Sequence, residues 1–409
     1  MLLDALTRSQ APDEDAIEVT DHIFTGKGVS NAYLVTTLDG DLLVNCGEPY
    51  EDHVARFSRA GSGRIRKIVF TQSHHDHIGS WARFAGPEVE TIAQANFPFV
   101  RGERNRLARH FLPRRERIFG AHADWPAEER LRTNEVLGEP VLTTTFTTFH
   151  SFELGGRRFE LHAAPGGETL DSLFVWLPIE RTVFTGNYLG PIFGTVPNLY
   201  TIRGDRLRSA VRYREGVDLL LALEPELLIT GHGEPVRGTA EIRLQLSRMR
   251  DAISHIYDAT VQGMNEGKDV FTLMREIRLP DHLSLPQFHG KVSWCVRAIW
   301  EEATGWFRFE SSTELYDVPP SAVWSDLAEL AGGAGALAER AARHVAAGRP
   351  LEAIHLTDIA LTADPGDRRA REAQLGALEI LLERSGKENY SEVAWLRGEI
   401  ATAKERLGR

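Results

Sequence analysis

The chain has 409 residues, of which 42% are hydrophobic and 26% charged, and its net charge is -11 at pH 7. That length allows two or three domains with sizeable cores. The composition is that of a soluble globular protein, and the acidic balance argues against a broad nucleic-acid footprint, which needs a basic face. A local basic pocket for an anionic substrate remains compatible with it. Cys46 and Cys295 lie far apart in sequence; they suggest no disulfide framework and fit a reducing compartment. The start, Met1-Leu2-Leu3-Asp4-Ala5 followed by Asp13-Glu14-Asp15, lacks a basic region and a long apolar one. With no run of membrane-span length, the expectation is a cytoplasmic protein with no signal peptide and no membrane span.

Residues 16–47 alternate apolar and polar side chains between Gly and Asp clusters, which predicts strands joined by tight turns. Residues 51–60 predict a short amphipathic helix. The apolar run Lys67-Ile68-Val69-Phe70 then predicts a strand that ends in Thr71-Gln72-Ser73-His74-His75-Asp76-His77-Ile78-Gly79-Ser80. Imidazoles and a carboxylate packed into four consecutive residues, His74 to His77, make sense around a cation that neutralises them. The alternative is a solvated polar loop. Residues 95–140 are arginine-rich and weakly periodic, as in a surface insertion or an entry loop.

Strand patterns resume at Phe149 to Leu154 and Arg158 to Ala163, before a Gly-rich turn, Ala164 to Ser172. Strands at Leu173 to Leu177, Thr182 to Thr185 and Glu226 to Thr230 follow, with a helix over roughly 205–222 between the last two. Loops of interest come directly after strands, as on one rim of a β-sandwich. From residue 239 the period changes to that of helices: 239–265, 270–277 and 290–307. The last carries Trp294, Val296, Ile299, Trp300, Trp306 and Phe307, a stripe read as packing, part of it against another subunit. Beyond residue 333 the chain is Ala- and Glu-rich and predicts helices over 338–347, 350–363 and 368–382. This tail resembles little more than one tetratricopeptide-type unit.

The segment Gln72 to His77 resembles the His-x-His-x-Asp-His signature of the metallo-β-lactamase superfamily, with Gln72 at the first histidine. The turn Gly167-Glu168-Thr169-Leu170-Asp171-Ser172 resembles its third-histidine loop, with Glu168 at the ligand position. The bridging acid falls on Asn187, and the Gly-His-Gly turn gives His232. The glutamate in that loop, the segment Asn198-Leu199-Tyr200-Thr201-Ile202-Arg203-Gly204, and the stretches 258–269, 274–277 and 290–294 resemble the alkylsulfatase branch more closely.

The resemblance implies an α/β fold, an αββα sandwich over residues 1–238, followed by an all-α, tetratricopeptide-like dimerisation domain over 239–409. It implies metal ligands among Gln72, His74, Asp76, His77, Glu168, Asn187 and His232, and a homodimer through the helical domain. Asp76, His77 and His232 would form a two-His, one-carboxylate site with open positions. Gln72, His74 and Glu168 would form a second site, weakened or hardened towards manganese or iron by its altered ligands. The expected metal is zinc, one or two ions per chain, with manganese or iron as alternatives; a zinc ion in the first site would lower the pKa of its water to about 7. Arg203 would hold an anion with a bidentate fork, and Tyr200 and Asn198 would donate hydrogen bonds. Asp76, Tyr200 and Arg203 are thus the expected catalytic residues, and Asn198, Tyr200 and Arg203 the expected substrate-binding ones. Asp171 and Ser172 are read as supporting residues, His75 as a non-ligand, and His122, His150, His162 and His289 as structural.

The function expected is a metallohydrolase acting on a small anionic or ester-like substrate through a metal-bound hydroxide, a sulfate ester first among them. The alternatives are a lactone, thioester or phosphoester hydrolase, a non-haem iron oxidoreductase, for which the same trio has the right composition, and a non-catalytic scaffold.

Overall fold

A computed structural model describes residues 10, 14–48, 53–119, 138–206 and 208–408. The chain divides into two compact units, Met1–Glu116 with His122–Glu302, and Ala303–Arg409 with Arg117–Ala121.

Two sheets form the first unit. One runs β1 (Ile17–Thr20), β2 (Ile23–Gly26), β3 (Ala32–Thr37), β4 (Gly40–Val44), β5 (Ile65–Val69), β6 (Glu90–Gln94), β7 (Thr144–Phe146), in that spatial order. Its first four strands are antiparallel neighbours, and β4 to β7 are parallel. The other sheet has the spatial order β13 (Val236–Arg237), β12 (Leu227–Thr230), β11 (Thr182–Gly186), β10 (Leu173–Leu177), β9 (Arg157–Ala163), β8 (Phe149–Leu154).

The period of two in a strand sends alternate side chains to opposite faces, and here both faces are covered. Tyr33, Val35, Leu42, Val44 and Val69 meet Leu173, Val175, Leu177, Phe184 and Ile229 between the sheets. Their neighbours Leu34, Leu43, Ile68 and Phe70 face the opposite way, towards Phe57 of helix α1 (His53–Ala60). On the far side, Phe174, Trp176, Val183 and Leu228 pack against Tyr213 and Val217 of a helix at Ala210–Leu223, and against Ile242, Leu246 and Met249 of a helix at Thr239–Asn265. The helix–sheet–sheet–helix layering is the expected sandwich. The 27-residue helix from Thr239 shares a core with the second sheet, so packing joins it to the first unit. Val270–Glu276 and Val292–Thr304 are also helical there. Trp306 and Phe307 lie past that last helix, and Trp306 is 71% exposed; Gly305, with φ +70°, ends the periodicity that the aromatic stripe suggested.

The arginine-rich segment is no irregular loop where it is described. It forms helices at Phe97–Arg106, with Pro98 in its first turn, and at Ala108–Phe119. Arg101 is buried and grips Glu139 through both Nε and Nη2. Residues 120–137, with His122, lie outside the described residues.

In the second unit, helices at Trp324–Leu330, Ala334–Ala346, Pro350–Ala363, Arg368–Arg384 and Tyr390–Leu407 follow one another. Ala341, Ala353, Ala373 and Ala377 form a sealed cluster; small side chains there let helix backbones approach. Tyr390–Leu407 is a helix beyond those expected.

Candidate metal centre

Thr71 to Ser80 leaves the carboxyl end of β5, and a single helical turn, His75–Ile78, follows at once. That turn swings Asp76 and His77 onto the side where the loop after β12 delivers His232. The Asp76 Oδ2 atom lies 3.5 Å from both His77 Nε2 and His232 Nε2. The two rings stand edge to face, centroids 5.7 Å apart. Among the described residues, these three form the one cluster of three His, Cys, Asp or Glu side chains whose ligand atoms all fall within 4.8 Å.

Each member is oriented from behind. His232 Nδ1 is 2.6 Å from the Val29 carbonyl oxygen. A carbonyl only accepts, so Nδ1 carries a proton and Nε2 is the nitrogen turned towards Asp76. The Asn45 side-chain amide, itself fastened to Thr71, lies 3.0 Å from His77 Nδ1. Ser30 Oγ donates to the Asp76 carbonyl. Gly231 keeps the loop close: a Cβ there would fall 2.6 Å from His77 Cε1 and 2.7 Å from Asn187 Oδ1. Burial works against the charge of Asp76, yet the imidazoles of His77 and His232 outweigh it and hold the carboxyl well below the usual range. Two imidazoles and an ionised carboxylate are a donor set suited to a divalent ion, whose charge would take the place of the imidazole protons.

His74, Gln72, Glu168 and Asn187 also converge, with a different chemistry. Gln72 Nε2 donates to His74 Nδ1 at 2.8 Å, and Asn187 Nδ2 reaches the same nitrogen at 3.5 Å. Glu168 Oε1 is 3.9 Å from it but only 2.7 Å from Arg208 Nη2. The other ring nitrogen of His74 faces Asp205 Oδ2 at 3.8 Å, which Arg104 Nη1 approaches at 3.9 Å. Burial and the Arg104 charge push the His74 pKa down to about 3, so the ring is neutral. Burial pushes Glu168 up to about 7 against the pull of Arg208.

The segment after this position supplies the basic side. Asn198 Nδ2 lies 3.3 Å from His289 Nε2, and the Asn198 carbonyl accepts from Arg208 Nη1 at 3.0 Å. The meeting of the two stretches depends on Gly290, where a Cβ would come 2.1 Å from the Pro197 carbonyl oxygen. The Arg203 charge acts on both Glu168 and His289. Tyr200 is half-buried and packs against the large core on the helical side of the second sheet. His75 Nε2 turns to Glu48 at 3.1 Å, while His162 sits near Glu160 on β9.

Sequence reasoning missed Asn45, Arg104, Asp205 as a neighbour of His74, Arg208 and the contact of Asn198 with His289. Arg208 stood four residues beyond the noted Gly204 and carried no motif signal. His289 carried one, its place beside Gly290.

Models of two families match the chain: the metallo-beta-lactamase superfamily over residues 25–232, and alkyl sulfatase dimerisation over 272–395. A linear primary-alkylsulfatase of Pseudomonas sp. is 28% identical over 366 residues, covering 83% of this chain and 68% of the relative. An alkyl/aryl-sulfatase of Saccharomyces cerevisiae is 23% identical over 401 residues, covering 89% and 60%. A solved stereoselective inverting sec-alkylsulfatase from Pseudomonas sp. superposes with a TM-score of 0.78 at 20% identity, over 97% of this chain and 66% of that one. The chain thus spans between 51% and 68% of the length of the curated relatives it matches.

Proposed function

The chain belongs to the metallo-β-lactamase superfamily, on its alkylsulfatase-like branch, and from that premise we propose that it is a metal-dependent hydrolase of small sulfate esters. The observation that carries the reading is the Asp76, His77 and His232 trio, its ligand atoms within 4.8 Å of one another, beside His74, which Asp205 of the Asn198 to Arg208 segment approaches. We assign the chemistry to the unit that runs to Glu302, with His289 beside Asn198, and the association to the helical unit that follows.

Asp76, His77 and His232 would hold the ion, for which we propose zinc. Bound there, it supplies Lewis acidity that activates water near neutral pH. The chain does the rest. The Val29 carbonyl and the Asn45 amide keep the imidazoles turned inward. Arg203 is the cation for the ester's anionic head, and its field is already felt at Glu168 and His289. Asn198, held by His289, is the neutral donor we assign beside it, and we assign to Tyr200 the donation of a proton to the leaving oxygen. Burial of the loops excludes bulk water and strengthens each of these interactions.

Trp306, Phe309, Tyr316 and Leu330 of the helical unit are each more than 70% exposed. We assign them to a homodimer surface, in keeping with the family model over 272–395. Cys46 and Cys295 are free and buried, which supports a cytoplasmic setting. Among the described residues no helix is long and apolar enough to cross a membrane.

The test is inorganic sulfate release from a panel of short alkyl and aryl sulfates after loading with zinc. Turnover of a lactone, thioester or phosphoester with none of the sulfates would overturn the sulfatase assignment. Iron in the purified protein, with oxygen uptake, would favour the oxidoreductase reading of the same trio.

A further inference from the structure

We infer that Asp205 is a positioning residue of the centre: it receives the Nε2 proton of His74 and so turns the Nδ1 lone pair of that ring towards Gln72, Glu168 and Asn187. This role rests on the hydrolase reading proposed above and adds to it a residue outside the expected ligand set.

The two edges of the His74 ring meet different groups. At Nδ1 stand the Gln72 amide at 2.8 Å, the Asn187 amide at 3.5 Å and Glu168 Oε1 at 3.9 Å. Two more oxygens there, Glu168 Oε2 and Asn187 Oδ1, are buried with no hydrogen-bond partner among the described residues. At Nε2 stands the Asp205 carboxylate, its Oδ2 atom 3.8 Å away. Both of these atoms are buried and make no other hydrogen bond among the described residues. An imidazole with one proton has one donor and one acceptor nitrogen, and a carboxylate accepts. Asp205 therefore favours the proton at Nε2 and leaves Nδ1 with its lone pair. A metal-binding imidazole backed in this way is held in one tautomer and orientation.

Asp205 is fixed for the task. Its Oδ1 accepts from the Arg206 backbone N–H at 2.9 Å, which leaves Oδ2 for His74. The Arg206 guanidinium lies over the Phe99 ring at 5.0 Å and pairs with Glu103 at 3.4 Å, both on the helix at Phe97–Arg106. Gly204, at φ +93°, lets the loop meet the next helix, where a Cβ would fall 2.5 Å from Phe111 Cε1. Arg104 Nη1, 3.9 Å from Asp205 Oδ2, favours the ionised carboxylate. The arginine-rich helices thus aim one acid at the back of one imidazole. An N–H···O bond spans about 2.7–3.2 Å, so about 1 Å of closing completes the pair when Nδ1 takes up a cation.

The test begins with the metal-free, full-length chain carrying 15N-labelled histidine, the His74 signals being identified by their loss in His74→Ala. Protonation at Nε2 is expected, and protonation at Nδ1 overturns the inference. Asp205→Ala is expected to lose that preference, Asp205→Asn to weaken it and Asp205→Glu to restore it, with the other imidazole signals unmoved. Zinc titration against a chelator follows, the step lost in His74→Ala marking the ion that His74 holds. That step should weaken by about 10–100-fold in Asp205→Ala and recover in Asp205→Glu. An unchanged tautomer in Asp205→Ala, an unchanged zinc step, no step attributable to His74, or a loss that Asp205→Glu does not restore each overturn it. The His74 signals are read without metal or substrate, so absence of sulfate release from the zinc-loaded unaltered chain fails the hydrolase reading separately.

Discussion

Arg208 reaches back forty residues to place its guanidinium 2.7 Å from the Glu168 carboxylate, with both side chains almost fully enclosed. Breaking a buried pair from one side leaves the other charge uncompensated, at a cost of about 3–5 kcal/mol. Arg208→Met is therefore expected to lower unfolding stability by that order in denaturant titration. The double variant Arg208→Met/Glu168→Met should recover most of the loss, because no lone charge remains. Equal loss in single and double variants would show that the pair is not the source.

Asn45 touches no substrate position; it holds the His77 ring from behind at 3.0 Å. Partners of this kind typically change metal affinity by about 10–100-fold. Asn45→Ala should weaken zinc binding by that factor in competition with a chelator, while zinc-loaded protein at saturating metal keeps most of its turnover. Unchanged affinity would remove Asn45 from the centre's support.

Gly231→Ala introduces a Cβ 2.6 Å from His77 Cε1 and 2.7 Å from Asn187 Oδ1. Such a contact must displace the ring. Overpacking of this sort costs about 1–3 kcal/mol. Zinc affinity is expected to fall further than thermal stability does, since the ring moves more readily than the strands. Calorimetry with and without zinc separates the two.

Glu90 gives a pH effect away from the metal centre. Burial opposes its charge, but the Lys67 ammonium and the Thr144 hydroxyl outweigh it and hold the carboxyl below its ordinary value of 4.5. A depressed folded-state pKa contributes stability above 4.5 that disappears as pH falls through the folded value. The pair is partly exposed, so the effect is at most about 1 kcal/mol after screening by solvent. Lys67→Met should lower the melting temperature on the neutral side, where this contribution is present, and leave the acid end below the folded value little changed, so that the profile flattens between them, as read from melting temperature against pH.

Phe309→Ser with Leu330→Ser removes two apolar side chains that are 89% and 85% exposed in the helical unit. If these form the proposed homodimer surface, light scattering should show a shift from dimer to monomer without loss of helical content. A dimer that persists places the interface elsewhere on the unit.

By itself, the sequence determined the local and periodic features. Alternation over residues 16–47 and the apolar run Leu173 to Leu177 announced strands, and the 3.6 period announced the helix from Thr239 to Asn265. These follow from short-range sterics and from where a repeating pattern puts apolar atoms. The ligand cluster in Thr71 to Ser80 was equally plain, because its members are neighbours in the chain. Tertiary structure alone decided what each side chain faces. Sequence put Glu168 and His74 among the expected ligands; only the fold shows that Glu168 also lies against Arg208, and that His74 sits between the Gln72 amide and Asp205. The arginine-rich segment looked irregular, yet it forms helices that bring Arg104 to Asp205. Side-chain partners separated by tens of residues are set by sheet register and helix packing, which no local pattern encodes. The candidate metal-binding loop was therefore legible, whereas the balance of charge around it was fixed only when the chain closed on itself.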